Sequence, residues 1–184
     1  MIFSLKDLVE FLPPLLDGAV ITITVSLLAF SLAMVSGLAI GIARISRVAP
    51  LRILAACYIQ FIRGTPLLLQ LFFIYSVLPF AGIVLSPFAS GACGLTLNYA
   101  AYMAEVFRSG IQAIPKGQWE AGSSVGMSRH LLMRRIILPQ AIRILVPPIG
   151  NFFVAIFKDS ALVSVITMRD LMFSGELLAS ATYK

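Results

Sequence analysis

Charged side chains lie within or beside long apolar runs of this 184-residue chain. Glu105 stands three residues before Arg108, Lys158 stands directly before Asp159, and Arg63 precedes a glycine and a Thr-Pro pair. A charge at the centre of a transmembrane helix costs about 2.5–3.5 kcal/mol on insertion scales, so each group requires a role. Charges of this kind pair with each other or bind an ionic solute.

Each group has a structural and a functional interpretation. Residues three apart share a helix face, so Glu105 is expected to pair with Arg108, although its carboxylate would also suit a solute ammonium. Lys158 and Asp159 are separated by about 100° of helical rotation, so they point to partners on other helices or to a solute of both signs. Arg63 is expected to extend to the nearby aqueous surface, with contact to a solute as the alternative.

Two amide side chains, Gln70 and Asn151, occupy similar apolar surroundings. An amide inside a helix bundle can simply form a hydrogen bond between helices. Asn151 follows Pro147 and Pro148, which are expected to break the helix near the middle of the membrane. Broken helices recur at transporter binding sites, so a pathway role for Asn151 is the alternative.

The elements that carry these residues are predicted to be membrane helices. The chain is 59% hydrophobic and 12% charged, whereas a soluble domain is about 45–50% apolar and about 25% charged. Residues 18–43 and 64–104 carry no charge, and about 20 apolar residues suffice to cross the hydrocarbon core. The pattern excludes most cytosolic enzymes and predicts spans at 18–43, 53–78, 87–107 and 141–166, the second interrupted at 63–66.

The basic residues predict the orientation of these spans. They cluster within 44–52 and 108–143, while 79–94 carries no charge. The positive-inside rule places both clusters in the cytoplasm and 79–94 outside. The N-terminal segment 1–17 and the tail after Arg169 then lie outside. Topology explains the positive charge better than a nucleic-acid partner does.

Smaller features complete the prediction of a helix bundle. Gly37 and Gly41 have the spacing that allows another helix to approach closely. Cys57 and Cys93 lie in apolar surroundings and are expected to be small buried side chains. The sequence contains neither a metal-ligand pattern nor a GxxxxGK[ST] phosphate loop, so we expect no metal ion and no cofactor in this chain.

The polar stretch 115–139 is predicted to lie outside the lipid. Its sequence indicates a short helix, a break at Gly126, a second, basic helix and then Pro139, where the chain re-enters the membrane. Such a helix pair suits docking on a soluble partner. A surface loop anchored to anionic membrane lipid by Arg134 and Arg135 is the alternative.

The spacing in this stretch resembles the EAA signature of bacterial ABC-transporter permeases: Glu-Ala-Ala, three residues, Gly, nine residues, Ile-x-Leu-Pro. The matching residues are Glu120, Ala121, Gly126, Ile136, Leu138 and Pro139, and Gly122 replaces the second alanine. Three further segments are similar to polar amino-acid permeases, namely RGTPLLLQ at 63–70, AEVFRSGI at 104–111 and KDSAL at 158–162. The resemblance extends over residues 15–180.

The resemblance implies an all-α, polytopic type I (MetI-like) ABC transmembrane domain over 18–184. Four spans are visible, and the family pattern leads us to expect a fifth beyond Lys184. It also implies a transporter subunit in the bacterial inner membrane, not an enzyme, with the loop 115–139 docked on a cytoplasmic ATPase dimer that binds the ATP. The residues implied in that contact are Glu120, Ala121, Gly126, Leu138 and Pro139.

The same resemblance implies further partners. These are a second permease, identical or homologous, a periplasmic or lipid-anchored substrate-binding protein, and a polar amino acid as the solute. The candidate pathway residues are Arg63, Gln70, Glu105, Asn151, Lys158 and Asp159. An ion channel or secondary transporter would explain the spans but not the ordered EAA spacing, and a membrane enzyme would require a catalytic set that the sequence does not show.

Overall fold

The computed structural model describes residues 5–182, with side chains over 9–181, and all regular structure in this range is helical. The α-helices are α1 (Leu5–Arg44), α2 (Ala49–Arg63), α3 (Leu67–Phe72), α4 (Pro87–Gln112), α5 (Lys116–Ser124), α6 (Arg129–Leu132), α7 (Leu138–Asp159) and α8 (Leu171–Thr182). A π-helical turn (Phe73–Val77) and a 3-10 turn (Leu78–Ala81) extend α3, a second π-helical turn (Met133–Ile137) joins α6 to α7, and a 3-10 turn (Ser160–Ile166) follows α7. The predicted all-α class is confirmed.

Apolar helices in the described residues are long enough to cross a membrane. The stretches Val9–Arg44 and Arg129–Ile166 qualify singly, and Ala49–Arg63 with Leu67–Ala81 qualifies as a pair bent by 102°. Their outward surfaces are apolar, with Val35 and Phe61 exposed by 73% and 69%. A surface of this kind is stable in lipid rather than in water. Length and composition thus give two or three candidate spans, and the bend confirms the predicted interruption at 63–66.

A helix, α4, covers the predicted third span, but it differs from the candidate spans in polarity. Ser90, Thr96 and Asn98 interrupt its apolar sequence. Much of α4 is buried within the protein, including Leu95 and Met103, which are both 0% exposed. A helix that other helices shield from lipid need not be uniformly apolar, because small and polar residues suit contacts between helices. For this reason α4 does not qualify as a span on hydropathy.

Two proline pairs lie inside helices, and one of them was expected to break its helix. Pro147 and Pro148 lie within α7, so the predicted break before Asn151 is wrong. Pro13 and Pro14 lie within α1, which begins at Leu5 and not near residue 18. Each proline removes one N–H, but the flanking turns keep theirs, and membrane helices tolerate such losses. Residues 1–4 of the predicted segment 1–17 and residues 183 and 184 lie outside the described part of the chain.

The chain forms two compact units. The first consists of residues up to 32, 65–98 and those from 154 onward, and the second consists of 33–64 and 99–153. In the first unit α8 packs on α1, where the backbone N–H of Leu171 donates to Oγ1 of Thr22 at 3.0 Å. The sequence predicts only a tail in this part of the chain, so α8 is an addition to the predicted elements.

In the second unit α1 packs closely on α4 through its two glycines. A β-carbon on Gly37 would lie 2.6 Å from Cβ of Met103 and 3.0 Å from the carbonyl oxygen of Ala100. One on Gly41 would lie 2.9 Å from the carbonyl oxygen of Ala104. The close helix approach that the glycine spacing predicts is therefore confirmed.

Both cysteines differ from their prediction. Cys57 on α2 and Cys93 on α4 are exposed, although the sequence analysis expected them to be buried. An apolar neighbourhood in the sequence of a membrane helix does not distinguish the lipid-facing side from the protein interior, because both are apolar.

Candidate functional site

The residues of the EAA-like loop lie in the second unit, and α5 carries the first of them. Glu120 and Ala121 are exposed on this nine-residue helix. The hydroxyls of Ser123 and Ser124 donate to the carbonyl oxygens of Trp119 and Glu120 at 2.8 and 2.9 Å. The helix thus presents a carboxylate and a small side chain on a polar surface.

Gly126 ends this helix in a backbone conformation that favours glycine. Its φ is +76°, in the left-handed region that side chains disfavour. The N–H groups of Gly126 and Met127 donate to the carbonyl oxygens of Ser123 and Gly122 at 3.0 and 3.1 Å, which closes the helix end. The predicted glycine break is confirmed. It leaves Val125, 76% exposed, at the tip of the loop.

The second helix of the loop is continuous with the membrane helix. The hydroxyl of Ser128 accepts the N–H of Leu131 at 3.3 Å and caps α6. From Arg129 onward the chain remains helical to Ile166. The expectation that Pro139 begins a new helix is therefore wrong. The N–H of Leu138 donates to the carbonyl oxygen of Met133, five residues back, and this wider π-helical turn accommodates the proline ring that follows. Leu138 and Pro139 are both exposed.

The helix α5 runs antiparallel to α6 and the start of α7, and two contacts hold it there. Gly122 is buried against Leu132, whose Cγ would lie 3.3 Å from a β-carbon at position 122. Nε2 of Gln140 donates to Oε1 of Gln118 at 3.3 Å and to the carbonyl oxygen of Ile136 at 2.9 Å. Leu132, Gln118 and Gln140 are residues that the sequence analysis missed. Only the departure from the signature at Gly122 hinted at the first contact.

Three pathway candidates also belong to the second unit. Nε of Arg108 donates to Oε2 of Glu105 at 3.0 Å, and a second guanidinium nitrogen contacts Oε1, so the pair is bidentate. Both side chains are about a quarter exposed, at 26% and 28%. The guanidinium carbon of Arg63 lies 5.2 Å from the ring centre of Tyr102, a cation–π distance. Asn151 is exposed on α7.

The sequence did not predict the aromatic cluster to which Tyr102 belongs. The ring of Tyr102 lies 5.6 Å from that of Phe152, and Tyr99 meets Phe152 edge-on at 6.1 Å. Tyr102 stands three residues before Glu105, so helical spacing alone places it on the same face as the ion pair. That spacing was the one signal available in the sequence.

The other three pathway candidates belong to the first unit. Nε2 of Gln70 donates to Oγ1 and to the carbonyl oxygen of Thr65 at 2.7 and 3.1 Å. Nδ2 of Asn98, on α4, donates to Oε1 of Gln70 at 3.1 Å. The expected hydrogen bond between helices is therefore present. Lys158 is exposed and Asp159 half-buried at the end of α7. A common pathway for all six candidates remains a prediction.

Apolar helices, polar pairs within them and an exposed helix pair outside the apolar stretches define an all-helical membrane protein. Residues 33–181 match the family described as binding-protein-dependent transport system inner membrane component. This chain belongs to that family. It is therefore the membrane component of a transport system and not an enzyme.

Relatives and solved structures agree with this assignment. The chain is 42% identical over 167 residues to the L-cystine transport system permease protein TcyB of Bacillus subtilis, covering 90% of this chain and 71% of the relative. It is 41% identical to the probable glutamine ABC transporter permease protein GlnM of Bacillus subtilis, covering 91% and 77%.

A solved amino acid ABC transporter, crystallised with histidines, superposes with a TM-score of 0.93 at 38% identity, covering all of this chain and 86% of the other. The methionine transporter MetNI, in an inward-facing form, superposes with a TM-score of 0.76 at 19% identity over 99% and 86% of the two chains. The second likeness concerns the fold alone. The predicted MetI-like fold is confirmed.

Proposed function

We propose that this chain is the permease subunit of an ATP-driven importer of polar amino acids in a bacterial inner membrane. One observation carries the proposal: Glu120 and Ala121 of the EAA-like loop stand on a short polar helix, α5, which packs against the start of an apolar helix long enough to span the membrane. The similarity to an L-cystine permease and to a protein named as a probable glutamine permease supports an amino acid as the solute.

The surface of α5 is the proposed contact with a cytoplasmic ATPase. Glu120 and Ala121 are exposed there, and Val125 projects from the adjoining turn with 76% of its surface accessible. A carboxylate beside a small residue and a projecting apolar side chain suits a groove of complementary charge on a soluble partner. Nucleotide binding belongs to that partner, since this sequence carries no phosphate loop.

The pathway would form where two permease chains, identical or homologous, pair in the membrane. With the four spans that the sequence predicts, the loop with α5 would lie in the cytoplasm and residues 79–94 outside, where a periplasmic or lipid-anchored binding protein would deliver the solute. Arg63, Gln70, Glu105, Asn151, Lys158 and Asp159 are the proposed pathway residues. Their polar groups would replace part of the hydration of a solute that carries both charges.

Purification of the tagged chain from its native membrane, followed by mass spectrometry of its companions, tests the proposal. We expect an ATP-binding subunit to be recovered in stoichiometric amount. A second, different permease in the same preparation would identify a heterodimer, and its absence a homodimer. Recovery of the chain alone, under conditions that keep a known permease complex intact, would contradict the proposal and favour a channel or secondary transporter.

A further inference from the structure

Two arginines near the start of α2 carry positive charge that no acidic side chain balances. Arg47 and Arg52 are exposed, and residues 44–52 contain neither aspartate nor glutamate. Neither arginine forms an ion pair with any acidic side chain that the structure describes. The first turn of α2 contributes no acidic residue either. The surface at this point of the second unit is therefore free to attract an anion.

The loop between α1 and α2 brings the guanidinium of Arg52 back toward Arg47. Nη1 of Arg52 donates to the carbonyl oxygen of Ser46 at 3.4 Å, and Oγ of Ser46 accepts the N–H of Val48 at 3.1 Å. Ser46 directly precedes Arg47, so both positive groups belong to one turn of the chain. A guanidinium carries five N–H donors, so the bond to Ser46 leaves most of them available to an anion.

This turn lies at the depth of lipid headgroups. Residues 18–43 of α1 carry no charge. They correspond to about 39 Å of helix, whereas the hydrocarbon core of a bilayer is about 30 Å thick. Arg44, at the end of α1, therefore marks the membrane surface, and Arg47 and Arg52 follow it closely. The positive-inside rule predicts that this surface is the cytoplasmic one.

Apolar side chains beside the two arginines face away from the protein. Val48, Leu51 and Leu54 are 58%, 46% and 69% exposed. Unpaired positive charge next to exposed apolar side chains is complementary to a molecule that has both an anionic headgroup and acyl chains. An acidic surface of a soluble protein would match the charge but would leave these apolar side chains uncovered.

We propose that Arg47 and Arg52 bind the headgroup phosphate of an anionic phospholipid, whose acyl chains lie against Leu51 and Leu54. Guanidinium groups suit this ligand because they can hold two phosphate oxygens through parallel N–H···O bonds. The ligand class is a glycerophospholipid of net negative charge in the cytoplasmic leaflet. Neither the identity of the solute nor the proposed docking of an ATPase on α5 enters this inference.

Lipid titration of the full chain, purified in detergent, tests the proposed site. Native mass spectrometry measures the binding of phosphatidylglycerol and of phosphatidylcholine with the same acyl chains, so the two lipids differ in the charge of the headgroup. The test variants are Arg47→Gln, Arg52→Gln and the double variant. Arg169→Gln, at an exposed position in the first unit, is the matched control for the loss of an arginine elsewhere. Size-exclusion chromatography verifies that each variant is folded.

We expect the native chain and Arg169→Gln to bind phosphatidylglycerol about tenfold more tightly than phosphatidylcholine, because each basic side chain near the headgroups adds attraction. Each single variant should lose part of this preference, and the double variant should bind both lipids alike. An excess of glycerol 3-phosphate should leave the preference of the native chain unchanged, because it lacks the acyl chains.

Three results would overturn the proposed lipid site. The first is equal binding of both lipids by the native chain, a result that does not depend on how the variants fold. The second is displacement of phosphatidylglycerol by glycerol 3-phosphate, which would show that the arginines bind a free phosphate. The third is an unchanged preference in the double variant. If that variant also lost the ATP-binding subunit on purification from the native membrane, the arginines would belong to a protein contact instead.

Discussion

The side-chain amide of Asn98, on α4, donates to Oε1 of Gln70, on α3, across 28 positions of sequence. The same glutamine donates twice to Thr65, at the bend of 102° between the helix pair Ala49–Arg63 and Leu67–Ala81. One amide thus joins the bent segment to a helix that is largely buried. The arrangement explains how a segment with glycine and proline at its centre keeps a defined geometry.

Gln70→Leu should destabilise the subunit, because it leaves the amide of Asn98 without its partner in a site where that residue is 5% exposed. Hydrogen bonds between membrane helices contribute about 1–2 kcal/mol in model peptides, so the expected loss is of that size. Thermal unfolding in detergent measures it. Gln60→Leu, at an exposed position of α2, is the control. Equal melting of both variants would show that the amide does not hold the bend.

Gly37→Ala should also destabilise the subunit, for a steric reason. The added methyl group meets Cβ of Met103 and a backbone oxygen, neither of which moves without displacing α4. Overpacking of this kind typically costs about 1–3 kcal/mol. Gly150→Ala is the matched control, since its methyl group meets nothing within 4 Å and alanine favours the helix. If the two variants melt alike, close packing of α1 on α4 is not required for stability.

The ion pair between Glu105 and Arg108 should tolerate exchange of its charges. Glu105→Arg or Arg108→Glu alone places two like charges one turn apart and should reduce the amount of folded subunit in the membrane. The double exchange should restore both folded subunit and solute uptake if the pair is structural. Folded subunit without uptake would instead assign the carboxylate of Glu105 to the solute pathway. Quantitative blotting and uptake of radiolabelled glutamine and cystine distinguish these results.

Much of the fold follows from composition and spacing, and the misses share one physical cause. The glycines of α1 and the break at Gly126 were predictable because each requirement is local, either a missing side chain or a positive φ. Pro147 and Pro148 in α7 misled, because the lipid penalty for leaving a helix exceeds the cost of two lost hydrogen bonds. The exposure of Cys57 and Cys93 was unpredictable, since lipid and protein interior select the same side chains.

In the candidate site, too, some residues could be predicted from the sequence and others could not. The residues of the EAA-like loop were found because their spacing is ordered along the chain. Leu132 and Gln140, which contact α5, were not found, because packing against α5 leaves no periodic signal in a short polar stretch. Asn98 and Tyr102 were missed for a similar reason, since their partners Gln70 and Arg63 are distant in sequence.

The topology predicts which loops a membrane-impermeant maleimide reaches. Phe80 is 92% exposed near the end of the bent segment, and Val125 is 76% exposed at the tip of the α5 loop. With Cys57 and Cys93 replaced, Phe80→Cys should be labelled in intact spheroplasts and Val125→Cys only after permeabilisation. Labelling of both residues from one side would show that the bent segment is re-entrant and does not span the membrane.

Reversing the charge of the exposed carboxylate of Glu120 tests most directly whether α5 is the surface that docks the ATPase. We expect Glu120→Lys to insert normally but to lose the ATP-binding subunit on purification from the native membrane, because the docking surface then carries the wrong charge. Glu176→Lys, at an exposed position of α8, should retain that subunit and is the matched control. Equal recovery of the ATP-binding subunit with both variants would contradict the assignment of α5 as the docking surface.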